Sequence, residues 1–335
     1  MYLLVCFNVI LDLLMGCSSG GAAVRDDDQA SATGTKMVHF RTLDWGMPSL
    51  RRVLVHLDYI LEPRGEIVAS SITYAGFVGV LTGVRKGLSL SLNFRGIHND
   101  SSGLLGNAEY YGHLGMVLLG LRPSISSLLR RCLIPGSNGR NIARANSRGD
   151  IASLPDYETV VQEMSYRTKS LRSTACYLCF SSGRETTVIE KDLNTAKSNS
   201  STSFIVVTNA DIEAGDGGKA THKNGAQTPK GAKSVAVDAA SPMTALDELI
   251  EDANERKACA ERNYRKLLRR HSRSSRSSHR SRDSADPRGT LPTVDDIVKL
   301  AQQYPTTNEC THFAAVMDPV AGNFAWSRYW RRPID

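Results

Sequence analysis

Leu88-Ser89-Leu90-Ser91-Leu92-Asn93 alternates strictly between apolar and polar residues. Only a backbone with a side-chain period of two sorts such a set cleanly, so the segment is a strand with its leucines on one face. Just before it, Ala75-Gly76-Phe77-Val78-Gly79-Val80-Leu81-Thr82-Gly83 is dense in glycine. That spacing suits tight turns or close backbone approach within a sheet. It lacks the Gly-Lys-Ser/Thr ending of a phosphate loop.

The flanking pattern extends the sheet. Lys36 to Leu43, Arg52 to Tyr59 and Ile67 to Thr73 read as strands, the second alternating Val53, Val55 and Leu57 against Arg52, Leu54 and His56. Ala175 to Phe180, Thr186 to Glu190 and Phe204 to Thr208 read as three more, the last ending at Asn209. Helices are expected over Tyr111 to Cys132 with a break near Pro123, Asp156 to Met164 after Pro155, Thr244 to Leu268 with Leu246, Leu249 and Ile250 on one face, and Val294 to Gln303. Phe313 to Asp318 and Asn323 to Trp330 form a hairpin across Pro319-Val320-Ala321-Gly322. Ser18 to Thr35 is small and acidic and reads as a turn or surface loop, as does Pro135 to Asp150. Strands, then helices, then a strand pair, without βαβ alternation, point to an α+β fold of mixed layers.

Two tracts stand apart. Glu213 to Ser241 is a Gly/Ala/Lys-rich low-complexity segment, and His271 to Asp286 is a Ser/Arg tract that reads as a solvated, disordered insertion. The second explains the charge. Of the net +7, Arg262 to Arg288 contributes nine Arg and one Lys against two Asp, 10 − 2 = +8, leaving about −1 elsewhere. The chain as a whole is not a polyanion binder, and no nucleic-acid partner is expected, although Arg262–Arg288 could meet an anionic membrane surface. Seven cysteines in 335 residues are too sparse for a disulfide scaffold. Cys176-Tyr177-Leu178-Cys179 lacks the second pair of a zinc site and reads as two buried thiols, so neither metal nor cofactor is expected. Met1 to Gly16 is apolar but has no Lys or Arg before its hydrophobic run and carries Asp12 within it, so no signal peptide is visible.

The bond between Gly16 and Cys17 admits three readings. Leu14-Met15-Gly16-Cys17 fits a lipobox that would lipidate Cys17. A cut there would equally make Cys17 an N-terminal nucleophile whose α-amine is its own base. Or Cys17 is an inert buried thiol, the usual fate of a free cysteine.

Further residues favour the second. Asn8 to Ser18, Arg41-Thr42-Leu43-Asp44-Trp45-Gly46, Thr73 to Gly87, Leu88 to Asn93 and Val206-Val207-Thr208-Asn209-Ala210-Asp211 occur in one order. In that order they resemble the acid ceramidase and N-acylethanolamine acid amidase family of N-terminal-nucleophile cysteine amidases. The likeness runs from about Asn8 to Trp330. It implies a four-layer αββα sandwich, self-cleaved before the cysteine, that hydrolyses the amide of fatty-acyl lipids. Residues 1–16 would then be the remnant of a pro-segment or α-chain, N-terminally truncated relative to the family. Residues 17–335 would be the β-chain domain, with low-complexity insertions at 213–241 and 271–288.

The resemblance also assigns roles. Cys17 is the nucleophile, Asp44 accepts a hydrogen bond from its α-amine, and Arg41 favours the thiolate by charge. Asn209 turns its side-chain NH₂ to the oxyanion, and Arg256 is the second site arginine. An α-amine, with a pKa of roughly 7.7–8.0, is a far better base near neutrality than a lysine. The implied substrate is an acyl-amide lipid, ceramide first and an N-acylethanolamine as the alternative, with a lysosomal or secreted location. Thr42 stands where the family usually has Asn and Phe94 where acid ceramidase has Glu. These departures leave the alternative of a catalytically impaired copy. Asn99-Asp100-Ser101 and Asn199-Ser200-Ser201 are glycosylation sequons.

Overall fold

Strand β1, Gly16–Arg25, runs antiparallel to β2, Thr35–Asp44, and the two are buried along almost their whole length. In this computed structural model the described residues are 16–26, 34–95, 104–134, 155–170, 173–212, 242–278 and 290–334. The side chains of 104–107, 166–170, 242–248 and 274–278 lie outside that description, as do the expectations for residues 1–15, Asp27-Asp28, the Asn99 sequon, Pro135 to Asp150, Glu213 to Ser241 and the end of the Ser/Arg tract.

A short 3-10 turn, Pro48–Val53, leads into β3 (Leu54–Ile60), β4 (Ile67–Tyr74), β5 (Thr82–Arg85) and β6 (Leu88–Phe94). Helices α1 (Leu104–Leu118), α2 (Ile125–Leu133) and α3 (Tyr157–Ser170) follow. Then come β7 (Cys176–Ser181), β8 (Thr186–Lys191), β9 (Ala196–Ser201) and β10 (Phe204–Val207). Helices α4 (Pro242–Ser278) and α5 (Val294–Gln302) and the hairpin β11 (Thr311–Asp318) and β12 (Asn323–Tyr329) close the chain. The strands make two antiparallel sheets, ordered β10-β1-β2-β11-β12 and β3-β4-β5-β6-β7-β8-β9. They pack face to face, with α4 and α5 against the outer face of the first and α2 and α3 against the outer face of the second. This is a four-layer αββα sandwich.

Side-chain alternation assigns each layer its core. Val38 and Phe40 of β2 and Ala22 and Val24 of β1 meet Ala260 and Tyr264 of α4 and Ile297 and Leu300 of α5. Leu88, Leu90 and Leu92 turn the other way, onto Leu128, Leu129 and Leu133 of α2. The expected leucine face of β6 therefore packs on helices, and Ser89, Ser91 and Asn93 face the first sheet. Cys176 and Cys179 are both buried and unbridged. Three residues apart on a strand, they lie on opposite faces and fall in different apolar clusters.

Several expectations change. The stretch after Cys17, expected as a surface loop, begins with buried β1. Ser, Gly and Ala have little β-propensity, but here small side chains let neighbouring layers approach. A Cβ on Gly21 would collide with Thr186 of β8 and Met37, and one on Gly20 with the Ile205 carbonyl and the Phe40 ring. Asp26 is buried beside Lys36, which also binds Asp318 at 2.7 Å. The helix expected over Tyr111 to Cys132 starts earlier, at Leu104, and its expected break near Pro123 separates α1 from α2, with Gly120 at φ 72° in the break. Polar β9 was not expected. Among the described residues it is an edge strand paired on one side, and Asn199 of its sequon has its Nδ2 shielded from solvent. The Ser/Arg tract, expected to be disordered from His271, continues α4 as helix to Ser278, with His271 bound to Asp296 of α5 at 2.9 Å.

Overpacking of this kind costs about 1–3 kcal/mol. Gly21→Ala should therefore lower the unfolding free energy by about 2 kcal/mol in urea titration, and an unchanged midpoint would mean that β1 and β8 can part freely.

Candidate active site

The register of β1 on β2 decides which side chains meet. Gly16 lies opposite Asp44, Cys17 opposite Leu43, Ser18 opposite Thr42 and Ser19 opposite Arg41. Because paired residues share a face, Cys17, Ser19, Leu43 and Arg41 point toward the second sheet, while Ser18 and Asp44 point toward α4. The Gly16–Cys17 peptide sits where the two sets converge.

On the inner face, Arg41 is fully buried. Its Nη1 donates to Ser19 Oγ at 2.9 Å and to Asn93 Oδ1, and its Nη2 donates to the Leu92 carbonyl at 2.7 Å. Ser19 Oγ in turn donates to Asn93 Oδ1 at 2.7 Å. All of these acceptors are neutral. Among the described residues Arg41 Nε has no hydrogen-bond partner. One residue pair along, His39 lies between Ser89 Oγ at 3.0 Å and Ser91 Oγ at 2.9 Å. Burial, with the Arg41 charge behind it, lowers His39 to about 3, so the imidazole stays neutral.

On the helix side, Arg256 of α4 is equally buried. Its Nη1 donates to Asp44 Oδ2 at 3.0 Å and to Ser18 Oγ at 3.3 Å, and its Nη2 donates to Asn209 Oδ1 at 3.1 Å. Asp252, one helical turn earlier, pairs with Nε at 2.9 Å. Thr311 Oγ1 donates to Asp44 Oδ1 at 2.6 Å. Burial pushes the Asp44 carboxyl up to about 6, against the Arg256 charge and the Thr311 hydrogen bond. A Cβ on Gly16 would stand 3.3 Å from that of Asp44, so glycine lets the bond lie close over the carboxylate.

Asn209 joins the two sides. The Cys17 backbone N–H donates to its Oδ1 at 2.8 Å, and its Nδ2 donates to the Phe94 carbonyl at 2.8 Å. Two donors converge on one atom and a carbonyl faces the other, which fixes the amide orientation. Two residues on, Asp211 is held by Arg95 through two hydrogen bonds of 2.8 Å and by the Tyr177 hydroxyl at 2.7 Å. Burial alone would raise Asp211, but these donors and the Arg95 charge hold it below the ordinary carboxylate value. This anchor ties the turn after β10 to the second sheet.

The Cys17 thiol is fully buried, and burial raises it above its ordinary value. The Arg41 charge opposes this, Asp44 adds to it, and Arg256 and the Phe94 backbone hydrogen bond oppose it again. Against the same apolar cluster, Tyr74 donates to His312 Nδ1 at 2.8 Å. His312 Nε2 donates to the Trp45 carbonyl at 3.0 Å, which fixes the tautomer. Burial, helped by the Arg51 charge, lowers His312 to about 4.

All five residues singled out from the sequence thus meet at the start of β1, with two differences. In the uncut chain the nitrogen of Cys17 is a peptide N–H bonded to Asn209, not an amine on Asp44. The Asn209 NH₂ faces Phe94, not an open oxyanion position. Ser18, Ser19, Asn93, Asp252 and Thr311 were not foreseen as members. Asn93 was foreshadowed by its place in the polar phase of β6, and Asp252 by its spacing of four from Arg256. Among the described residues, no group of three or more His, Cys, Asp or Glu side chains is arranged to hold a metal ion.

The raised Asp44 has a stability consequence of known sign. The native state takes up its proton near pH 6 and the unfolded chain near 3.8, so stability falls as pH rises between those values. Relative to Asp44→Asn, the wild type should lose on the order of 3 kcal/mol between pH 3 and pH 7 in urea titrations. A pH-independent difference would contradict the burial of an ionising Asp44.

No protein-family model matches the chain, and no curated protein matches it. Among solved structures it is similar to a Caenorhabditis elegans N-acylethanolamine-hydrolyzing acid amidase ortholog, at TM-score 0.56 and 19% identity. The match covers 94% of this chain and 100% of that one. The two share the four-layer fold.

Proposed function

We propose that this chain is an N-terminal-nucleophile cysteine amidase that hydrolyses N-acyl amides of fatty acids, with Cys17 as nucleophile. The observation that carries the reading is the convergence of Cys17, Arg41, Asp44, Asn209 and Arg256 on the Gly16–Cys17 bond. The solved structure of similar fold belongs to an enzyme named for N-acylethanolamine hydrolysis. It favours an N-acylethanolamine over ceramide as the substrate.

The bond would be cut by the chain itself. The Cys17 sulfur attacks the Gly16 carbonyl carbon, forming a C–S bond. As the C–N bond breaks, the departing nitrogen takes a proton and becomes the α-amine. Water then hydrolyses the thioester, leaving Gly16 as a carboxylate and restoring the thiol. Residues 1–16 become a released or retained α-chain. The new amine would stay where the peptide N–H was, next to Asn209 Oδ1, which Arg256 links to Asp44.

The same groups then serve the amide substrate. The amine takes the thiol proton, and the sulfur attacks the acyl carbon under the positive charges of Arg41 and Arg256. The amine returns the proton to the leaving nitrogen, and water releases the fatty acid. A lysosomal or secreted setting belongs to this reading. Among the described residues no helix is long and apolar enough to cross a membrane.

Mass spectrometry of the purified chain should find two pieces, Met1 to Gly16 and Cys17 to Asp335, and Cys17→Ala should remain whole. With the wild type cut, Asn209→Ala should reduce hydrolysis of an N-acylethanolamine by about 10²-fold or more. A folded wild type that stays intact and inactive from pH 4 to 8 would support the impaired copy instead. Faster turnover of ceramide would reverse the substrate assignment.

A further inference from the structure

Helix α4 carries the site residue Arg256 and then continues into the start of the Ser/Arg tract. Its exposed residues there are Arg262, Arg265, Lys266, Arg269, Arg270 and Arg273. The steps of three, one, three, one and three place all six on one helix face. Spread over eleven residue steps, they form a line about 16 Å long. Residues 262–273 contain no Asp or Glu, so this one turn-by-turn stripe supplies 6 of the net +7, leaving 7 − 6 = +1 for the rest of the chain. Glu261 at its edge pairs with Arg265 at 3.4 Å. His271 turns aside to Asp296.

Like charges three and four residues apart repel one another. Nothing in the fold requires them: the helix is already held by its other face, where Ala260 and Tyr264 are buried and Leu267 and Leu268 pack on the first sheet and α5. An anionic partner would turn the repulsion into attraction.

We propose that this face of α4 docks on the anionic surface of a lipid bilayer, by charge alone. A band of five guanidinium groups and one ammonium matches a flat array of phosphate oxygens, which arginine binds in paired hydrogen bonds. Between Arg262 and Arg273 no apolar side chain is exposed to insert among acyl chains. Nucleic acid fits less well. The segment's one aromatic, Tyr264, is stacked on Phe204 at 4.2 Å and offers no platform for bases. The helix, fixed along its inner face, cannot enter a groove. The preference for a bilayer over other flat polyanions rests on the acyl-amide reading above, since such substrates reside in membranes. Arg256 precedes Arg262 by six residues, about 9 Å along the axis, so docking brings the site's helix to the lipid surface.

Sedimentation of the full chain with vesicles tests this without reference to activity. At about 0.1 M salt the chain should bind phosphatidylcholine vesicles containing about 30% phosphatidylserine, ignore phosphatidylcholine alone, and be released at about 0.5 M. Replacing Arg262, Arg265, Lys266 and Arg269 together by Gln, which retains helix propensity, should weaken binding about 100-fold or more. The helical circular dichroism signal should not change. Equal binding to both vesicle types, undiminished binding by the fourfold variant, or preference for a DNA duplex over the anionic vesicles would each overturn the proposal. Vesicle binding as expected from a chain that never cleaves an acyl amide would refute the amidase reading and leave the docking surface standing.

Discussion

The structure depends on one buried cation. Arg41 lies between the two sheets, and among the described residues its hydrogen-bond acceptors are all neutral: Ser19, Asn93 and the Leu92 carbonyl. Burying a charge against neutral partners is costly, and a fold selected for stability alone would fill that seam with leucine. The cost leaves a positive charge beside the Cys17 thiol, where it opposes the upward push of burial. It also dictates the polar phase of β6, because Asn93 must face inward to receive the guanidinium. That phase forces Leu88, Leu90 and Leu92 onto the helix layer. The placement of one arginine and the packing of two layers are thus the same constraint.

The two arginines are segregated by strand alternation. Arg41 acts from the inner face of β2 and Arg256 from α4 on the outer face, while Asp44 shares the outer face with Ser18. A slip of one residue between β1 and β2 would send Cys17 to the helix side, away from Arg41. The register is held from several directions at once: Ser19 and Asn93 bind Arg41 from inside, Arg256 clamps Ser18 to Asp44 from outside, and Thr311 fixes Asp44 from β11. Close packing at Gly20 and Gly21 prevents a larger side chain from taking up a shifted position. The cysteine's neighbours are therefore set by the whole sandwich.

How much of this was legible follows from what each residue has to do. The β6 alternation, the hairpin after Thr311 and the helix over Val294–Gln302 were readable because their burial has the ordinary period of strand or helix. Strand β1 was not readable, since its small residues are chosen for the space between layers and mimic a loop. The polar edge strand β9 was invisible because it has only one partner and little apolar side to announce it. The helical start of the Ser/Arg tract was hidden by its charge; Tyr264, Leu267 and Leu268 supply the apolar face, and His271 on Asp296 carries the helix past it. Arg256 needed the family resemblance, since nothing in a run of helical charges marks one as buried. Ser18 and Thr311 could not be found at all without strand pairing, because each acts through a neighbour more than 20 residues away.

Under the proposed amidase reading, the geometry also bears on when the site would become competent. In the uncut chain Asn209 is occupied on both ends, its oxygen by the Cys17 N–H and the Arg256 guanidinium and its NH₂ by Phe94. The thiol is raised by burial, and the carboxyl of Asp44 ionises only near pH 6. The nitrogen of residue 17 is bonded to Asn209, which Arg256 links in turn to Asp44. A peptide N–H carries no charge and can only donate. An amine in its place can become cationic, and a cation there favours both the ionised Asp44 and the thiolate. In the proposed reaction a single bond separates an arrangement whose residue-17 nitrogen is uncharged from one in which that nitrogen can be cationic. Arg41 and Arg256 are present in both, so breaking that bond changes the charge balance without moving the scaffold that holds it.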